Sequence, residues 1–130
     1  MIVLDASAAV ELLCHTPRGD RVMATLLERN TTLHAPEFFD LEVLHVLRRA
    51  VARGTLTTQS AEQAIELLAS LSCRRHSHRR LLQRCWELRH NFSAYDAAYV
   101  ALAEALDGTL LTCDARMAAA PGIQARVLVV

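Results

Sequence analysis

Met1-Ile2-Val3-Leu4-Asp5-Ala6-Ser7 opens the chain, and Thr109-Leu110-Leu111-Thr112-Cys113-Asp114 stands near its end. In each, a short apolar run is followed by a carboxylate. Runs this short and this apolar predict strands buried on both faces, as in a parallel sheet covered by helices. The intervening chain fits that reading. A helix begins near Ser7 and stops around Thr16-Pro17-Arg18-Gly19, and a second spans about Asp20 to Arg29, ending at Asn30. Thr32 to Ala35 is the next strand. Pro36 suits the first position of a longer helix, to about Arg53, closed by Gly54. Thr58 is a plausible cap for a helix reaching Ala69, and Leu71 to Arg75 is ambiguous, a short strand by one reading. His78 to His90 is helical, Ser93 to Leu106 more strongly so, and Gly108 ends it. A short helix near Ala115 to Ala119 precedes Pro121-Gly122, and Ala125 to Val129 is a last strand. Strands alternating with helices predict one α/β domain over residues 1–130, with four to five short parallel strands.

Composition sets the frame. At 130 residues and 52% apolar, the chain has the size and the hydrophobic content for one buried core. Aromatic residues make up only 5%, so Ala, Val and Leu must do the packing. The 14 basic and 14 acidic residues cancel, so net charge alone selects no polyanionic partner. Every basic residue is Arg. That choice suits bidentate phosphate recognition and equally fits a coding bias in the source genome. The cysteines, Cys14, Cys73, Cys85 and Cys113, form no C-x-x-C pair; Cys14, Cys85 and Cys113 read as small buried hydrophobes, not zinc ligands. There is no signal-peptide pattern and no run of about 18 apolar residues. A soluble protein of the reducing cytoplasm, without a membrane partner, is expected.

Four acids occupy positions that carry chemistry. Ligands of parallel sheets bind beyond the carboxyl ends of the strands, where Asp5 and Asp114 stand. Glu42 lies early in the greasy helix Phe38-Phe39-Asp40-Leu41-Glu42-Val43-Leu44, on a narrow polar stripe with His45, Arg49 and Arg53. Asp96 opens the tightly packing run Asp96-Ala97-Ala98-Tyr99-Val100-Ala101-Leu102-Ala103. A structural role competes for each acid. Ser93-x-x-Asp96 is a capping-box pattern, Asp5 and Asp114 precede helices and can serve as N-caps, and Glu42 suits the helix dipole. The combination argues for more. Two carboxylates about 4 Å apart repel by roughly 4 kcal/mol at an effective dielectric near 20. Four converging acids therefore need a cation, and an all-oxygen set selects a hard ion, Mg²⁺ or Mn²⁺, suited to phosphodiester hydrolysis.

With those residues in view, Met1-Ile-Val-Leu-Asp5-Ala-Ser7, Asn91-Phe-Ser-Ala-Tyr-Asp96-Ala-Ala-Tyr-Val-Ala-Leu-Ala-Glu104 and Leu110-Leu-Thr-Cys-Asp114-Ala-Arg116 resemble the motifs of PIN-domain toxins of the VapC type. The resemblance spans essentially the whole chain. It implies a three-layer α/β/α sandwich and an Mg²⁺- or Mn²⁺-dependent endoribonuclease that inhibits translation by cutting structured RNA such as tRNA or rRNA. It also implies a homodimer, and a VapB-type antitoxin whose C-terminal segment covers the site. By position, Asp5, Glu42, Asp96 and Asp114 match the family's metal-binding carboxylates. Ser7 and Thr112 match hydroxyl positions that help hold a metal water or a phosphate; their structural alternatives are a first-turn helix residue and a strand-end residue. His45 stands where the family often has Asn, and reads as a surface or core His or as a phosphate donor that titrates near neutrality. Arg116 and Met117 follow the last Asp where some relatives add a further acid, so one tightly bound ion and one substrate-dependent ion are expected.

Arg74, Arg75, Arg79, Arg80 and Arg84 crowd one stretch with His76 and His78. The cluster fits an RNA backbone, an antitoxin surface or a solvated face. Two rival functions are weighed. A catalytically silent PIN module acting only in protein interaction or regulation is disfavoured by the intact acid set. An aspartyl-phosphate phosphatase or receiver is disfavoured by Ser7, where phosphatases usually place a second Asp, and by the absence of Lys.

Overall fold

Ile2, Val3 and Leu4 are all buried and form strand β1 (Ile2–Leu4) at the centre of the sheet in the computed structural model, which describes all 130 residues. Around it the chain runs α1 (Ala6–Leu13), α2 (Pro17–Arg29), β2 (Leu33–Pro36), α3 (Phe39–Ala52), α4 (Thr58–Ser70) and β3 (Cys73–His76). A 3₁₀ turn (Arg79–Leu81) then leads into α5 (Leu82–Glu87), α6 (Ala94–Ala105), β4 (Thr109–Thr112), α7 (Ala115–Ala119) and β5 (Arg126–Val129). The five strands are all parallel, in the order β3-β2-β1-β4-β5. Right-handed crossovers put α1 to α4 on one face and α5 to α7 on the other, the three layers of an α/β/α sandwich. The chain winds outward from β1 to β3, then returns across the sheet to β4, so the direction reverses between β1 and β4. That reversal opens a crevice at their carboxyl ends.

Local chemistry accounts for three of the four departures from the sequence reading. Helix α2 starts at Pro17 instead of Asp20, because the Thr16 hydroxyl oxygen accepts from the Gly19 N–H at 2.9 Å and Pro17 takes the first helical position. Pro36 ends strand β2 instead of opening a helix. Strand β1 pairs with β2 only at Leu33 and His34, so β3 is the sole neighbour at Pro36, and the Glu37 N–H bonds the His76 carbonyl there. Thr57, not Thr58, caps α4, accepting from the Ser60 N–H at 3.1 Å. The helix expected from His78 to His90 is shorter and divided into the 3₁₀ turn and α5.

Small residues set the packing. Helix α6 buries seven consecutive side chains from Ala97 to Ala103, four of them alanines, which lets it press against β1, β2 and β4. Val43, Leu47, Phe39 and Tyr99 complete a continuous core with the strand residues. The four cysteines are half-buried free thiols packed against it. No helix is long and apolar enough to cross a membrane.

Gly19 marks the closest approach of α1 and α2. A Cβ there would stand 2.0 Å from the Glu11 carbonyl oxygen, a backbone atom that cannot swing away. Gly19→Ala should therefore separate the two helices and lower stability by about 1–3 kcal/mol. The check is a fall in the urea midpoint at unchanged m-value; a wild-type midpoint would mean that the helices move apart at no cost.

Candidate active site

Asp5 follows β1 and is 5% exposed, a buried carboxylate at the sheet's carboxyl edge. It occupies the N-cap position of α1, yet its side chain makes no capping bond. Its Oδ2 instead accepts from the Ser7 hydroxyl at 2.5 Å and the Thr112 hydroxyl at 2.7 Å. These hydroxyls lie 3.2 Å apart and are themselves held, Ser7 Oγ by the Cys113 N–H and Thr112 Oγ1 by the Asp114 N–H, each at 3.0 Å. The network therefore ties β1, the first turn of α1 and the end of β4 to one carboxylate oxygen. The other oxygen, Oδ1, receives no protein donor.

The remaining acids come from three further elements. Glu42, in the first turn of α3, is half-buried, and its Oε2 accepts from the Tyr99 hydroxyl at 2.6 Å. That bond crosses between the helices of opposite layers. Asp96, in the first turn of α6, has its N–H capped by Ser93 Oγ at 3.1 Å. The reciprocal half of the capping box, from the carboxylate back to the Ser93 N–H, does not form. Asp114 does cap: it accepts from the Arg116 N–H at 3.0 Å, and the exposed Arg116 guanidinium grips both its oxygens.

Electrostatics joins the four. Burial raises the pKa of Glu42, and the charges of Asp5 and Asp96 raise it further, against the opposing effect of the Tyr99 bond. Burial likewise raises Asp96, helped by the charges of Asp5 and Asp114. Asp114 is lowered, first by its bond to Arg116. Charge repulsion thus links Glu42 to Asp5 and Asp96, and Asp96 to Asp5 and Asp114. No three of the His, Cys, Asp and Glu side chains close into a ready ligand cage in this arrangement. The donor set is nonetheless all oxygen, carboxylates with two fixed hydroxyls behind them, and its excess negative charge fits a hard divalent cation.

Tyr99 is the site residue that sequence reading passed over. In the run following Asp96 it looks like core, and it is fully buried. The missed signal is its hydroxyl, which needs a partner when buried, on a residue one helical turn from Asp96. The basic stretch also divides. Arg75 is ion-paired with Asp40, and Arg84 with Glu104 and Glu87, so both are structural. Arg74, Arg79 and Arg80 are exposed and make no side-chain bond to the protein. His45 is exposed and lines a hollow of about 460 Å³ with Phe38, Leu41, Glu42 and Tyr95. A larger hollow of about 970 Å³ lies at the amino ends of the strands, around Met1, Thr32 and Ser72, away from the acids.

Residues 2–123 match the PIN domain. Ribonuclease VapC12 of Mycobacterium tuberculosis is 43% identical over 127 residues, covering 98% of this chain and 97% of that protein. Among solved structures, Mycobacterium tuberculosis VapC20, described as a sarcin–ricin loop cleaving toxin, aligns with a TM-score of 0.70 at 19% identity, covering 97% of this chain and 99% of that one. VapBC2 from Rickettsia felis, solved bound to a DNA fragment from its promoter, aligns with a TM-score of 0.70 at 14% identity, covering 100% of this chain and 99% of that one. At such identities the structural likeness speaks for the fold.

The raised pKa of Glu42 has a measurable consequence. A carboxyl whose pKa is higher folded than unfolded makes the folded state less stable once it ionises, and the effect vanishes below the unfolded value of about 4.3, where both states hold the proton. With divalent ions removed by EDTA, Glu42→Gln should melt at a higher temperature than wild type at pH 7. The difference should shrink as pH falls through the range where the folded Glu42 takes up its proton. A difference independent of pH would show that Glu42 carries no such strain.

Proposed function

The chain belongs to the PIN-domain family and, within it, to the VapC ribonucleases; from that membership and the acidic crevice we propose a divalent-metal-dependent endoribonuclease, the toxin of a toxin–antitoxin pair. The observation that carries this reading is the buried Asp5 carboxylate, fixed through one oxygen by Ser7 and Thr112, whose charge reaches Glu42 and Asp96, with Asp114 acting on Asp96 in turn. Asp5, Glu42, Asp96 and Asp114 are the candidates to hold Mg²⁺ or Mn²⁺. A bound divalent ion offsets their charge, polarises a phosphoryl oxygen and activates water for hydrolysis.

The chain's own residues prepare that site. Ser7 and Thr112 donate to the same Asp5 oxygen, which fixes the carboxylate plane and leaves the second oxygen for a ligand. Tyr99 does the same for Glu42 through one oxygen. Orienting bonds of this kind raise the precision of a ligand set and are worth about 10- to 100-fold in affinity or activity. Glu42 and Asp96, whose pKa values are raised, would exchange proton for cation, so they should hold their protons to higher pH without metal than with it. Arg116 already neutralises part of Asp114, which favours one tightly held ion, with a second arriving with substrate.

RNA would approach this crevice as a loop of a structured molecule such as tRNA or rRNA. Arg79 and Arg80 are exposed and free to contact its backbone, whereas Arg74 lines the hollow at the amino ends of the strands. A VapB-type antitoxin and a homodimer complete the proposed assembly, by kinship with the VapC proteins. The alternative, a catalytically silent interaction module, is not favoured, because such a module has no need of four crowded acids.

The test is incubation of purified protein with total RNA in Mg²⁺, Mn²⁺ or EDTA. Discrete products should form with metal, vanish in EDTA, and fall by roughly 100-fold or more with Asp5→Asn or Asp96→Asn. Cutting that survives both substitutions and EDTA would refute the mechanism, and RNA left intact throughout would favour the silent module. Arg79→Ala with Arg80→Ala should weaken RNA binding and reduce the slope of affinity against salt by about 0.7–0.9 per lost phosphate contact; an unchanged slope would assign these arginines elsewhere.

A further inference from the structure

We propose that the hollow bounded by Phe38, Leu41, His45 and Tyr95, which shares Glu42 with the acidic crevice, is a nucleobase subsite. It receives one unpaired base of the RNA beside the phosphate to be cut. This inference rests on the ribonuclease reading and adds what that reading lacks, a place where the nucleotide next to the scissile bond is gripped.

Three observations point to it. Tyr95 immediately precedes Asp96 in the chain, and Glu42 lines the hollow, so the acids and the hollow share a wall. Tyr95 is 60% exposed and Leu41 70% exposed, large apolar surfaces at the mouth of a strongly polar site. The aromatic residues are braced: Phe38 meets Tyr95 edge-to-face at 5.2 Å and Tyr99 edge-to-face at 5.7 Å, and Tyr99 in turn bonds Glu42. A T-shaped contact occupies at most one face of the Tyr95 ring, and the residue's 60% exposure leaves ring surface accessible for stacking. RNA sequences are read chiefly through unstacked bases laid on aromatic side chains. His45 at the rim makes no hydrogen bond to the protein and can meet the polar edge of a base.

The size and chemistry favour a base over a protein segment. At about 460 Å³ the hollow has the dimensions of a small-ligand site, whereas a stable protein partner needs near 800 Å² on each side. Its one carboxylate, Glu42, repels an acidic peptide and tolerates an uncharged ring.

The experiment uses an RNA oligonucleotide containing a mapped cut site, and the same oligonucleotide with an abasic nucleotide on either side of the cut. Wild-type protein with Mg²⁺ should lose roughly 5- to 150-fold in kcat/KM on one of the abasic substrates, the range that stacking of one base supplies. Tyr95→Ala should lose a similar factor on the intact RNA and then be indifferent to the missing base, while Tyr95→Phe and Tyr95→Trp keep the wild-type pattern. Fluorescence anisotropy of the same RNAs in EDTA should show the same dependence in binding alone. Tyr95 is exposed, so thermal melting should confirm that the variants fold.

Equal cutting of intact and abasic RNA by wild type, or a Tyr95→Ala protein that still discriminates between them, overturns the subsite while leaving the ribonuclease reading intact. If wild type cuts no RNA, the ribonuclease reading fails and takes with it a subsite defined by the base beside the cut. If Tyr95→Ala handles RNA as wild type does but turns a dimer into monomers in light scattering, the hollow is a self-association surface and the proposal is wrong.

Discussion

The parallel pairing of β1 with β4 is the constraint on which the site depends. Its register sets Leu4 opposite Leu111, so that Asp5 and Thr112 follow as the next residues on adjacent strands. The 2.7 Å bond between them is a direct product of that register. Ser7 joins because α1 begins immediately after β1, and its hydroxyl meets both. A slip of one residue would turn every inward side chain of the strand outward and separate the hydroxyls from the carboxylate. Core packing of Ile2, Val3, Leu110 and Leu111, all essentially inaccessible, holds the register in place. The hydrophobic interior and the polar network thus enforce the same alignment.

Against this stands the cost of crowding like charges. Glu42 and Asp96 are both held above their ordinary pKa, by burial first and by neighbouring carboxylates second. The chain relieves the strain only in part. Arg116 pairs with Asp114 and its charge also favours ionised Asp96, whereas Glu42 has only the Tyr99 hydroxyl and Asp5 only two hydroxyls on one oxygen. A protein optimised for stability alone would substitute an amide at one of these positions. Their coexistence is the physical argument for the proposed role of the crevice in holding a cation and a polyanion.

Much of this was legible in the sequence, for identifiable reasons. The parallel sheet followed from short apolar runs, and the acids from their places at strand ends and in first turns. What escaped were features decided by competition between neighbours. Pro36 carries a helix-start signal, but pairing with β3 claimed it for a strand. Asp5 occupies a cap position, but the hydroxyls of Ser7, two residues on, and of Thr112, on the adjacent strand, outcompeted the helix N–H groups for its oxygen. Tyr99 reads as filler because only its ring enters the pattern of apolar spacing, whereas its hydroxyl acts across the domain. The basic stretch looked uniform, and its division into structural and free arginines depended on Asp40, Glu87 and Glu104, two of them distant in sequence.

The all-round burial of α6 carries an implication for how such a protein diversifies. The helix that supplies Asp96 and Tyr99 is wedged against three strands through side chains with almost no spare volume. Enlarging one of its alanines would displace the helix and with it two residues of the crevice. A substitution that retunes substrate choice therefore disturbs the frame least at exposed positions such as Leu41, His45 and Tyr95 of the proposed base site. The acids share their supports with the interior, and that rim does not.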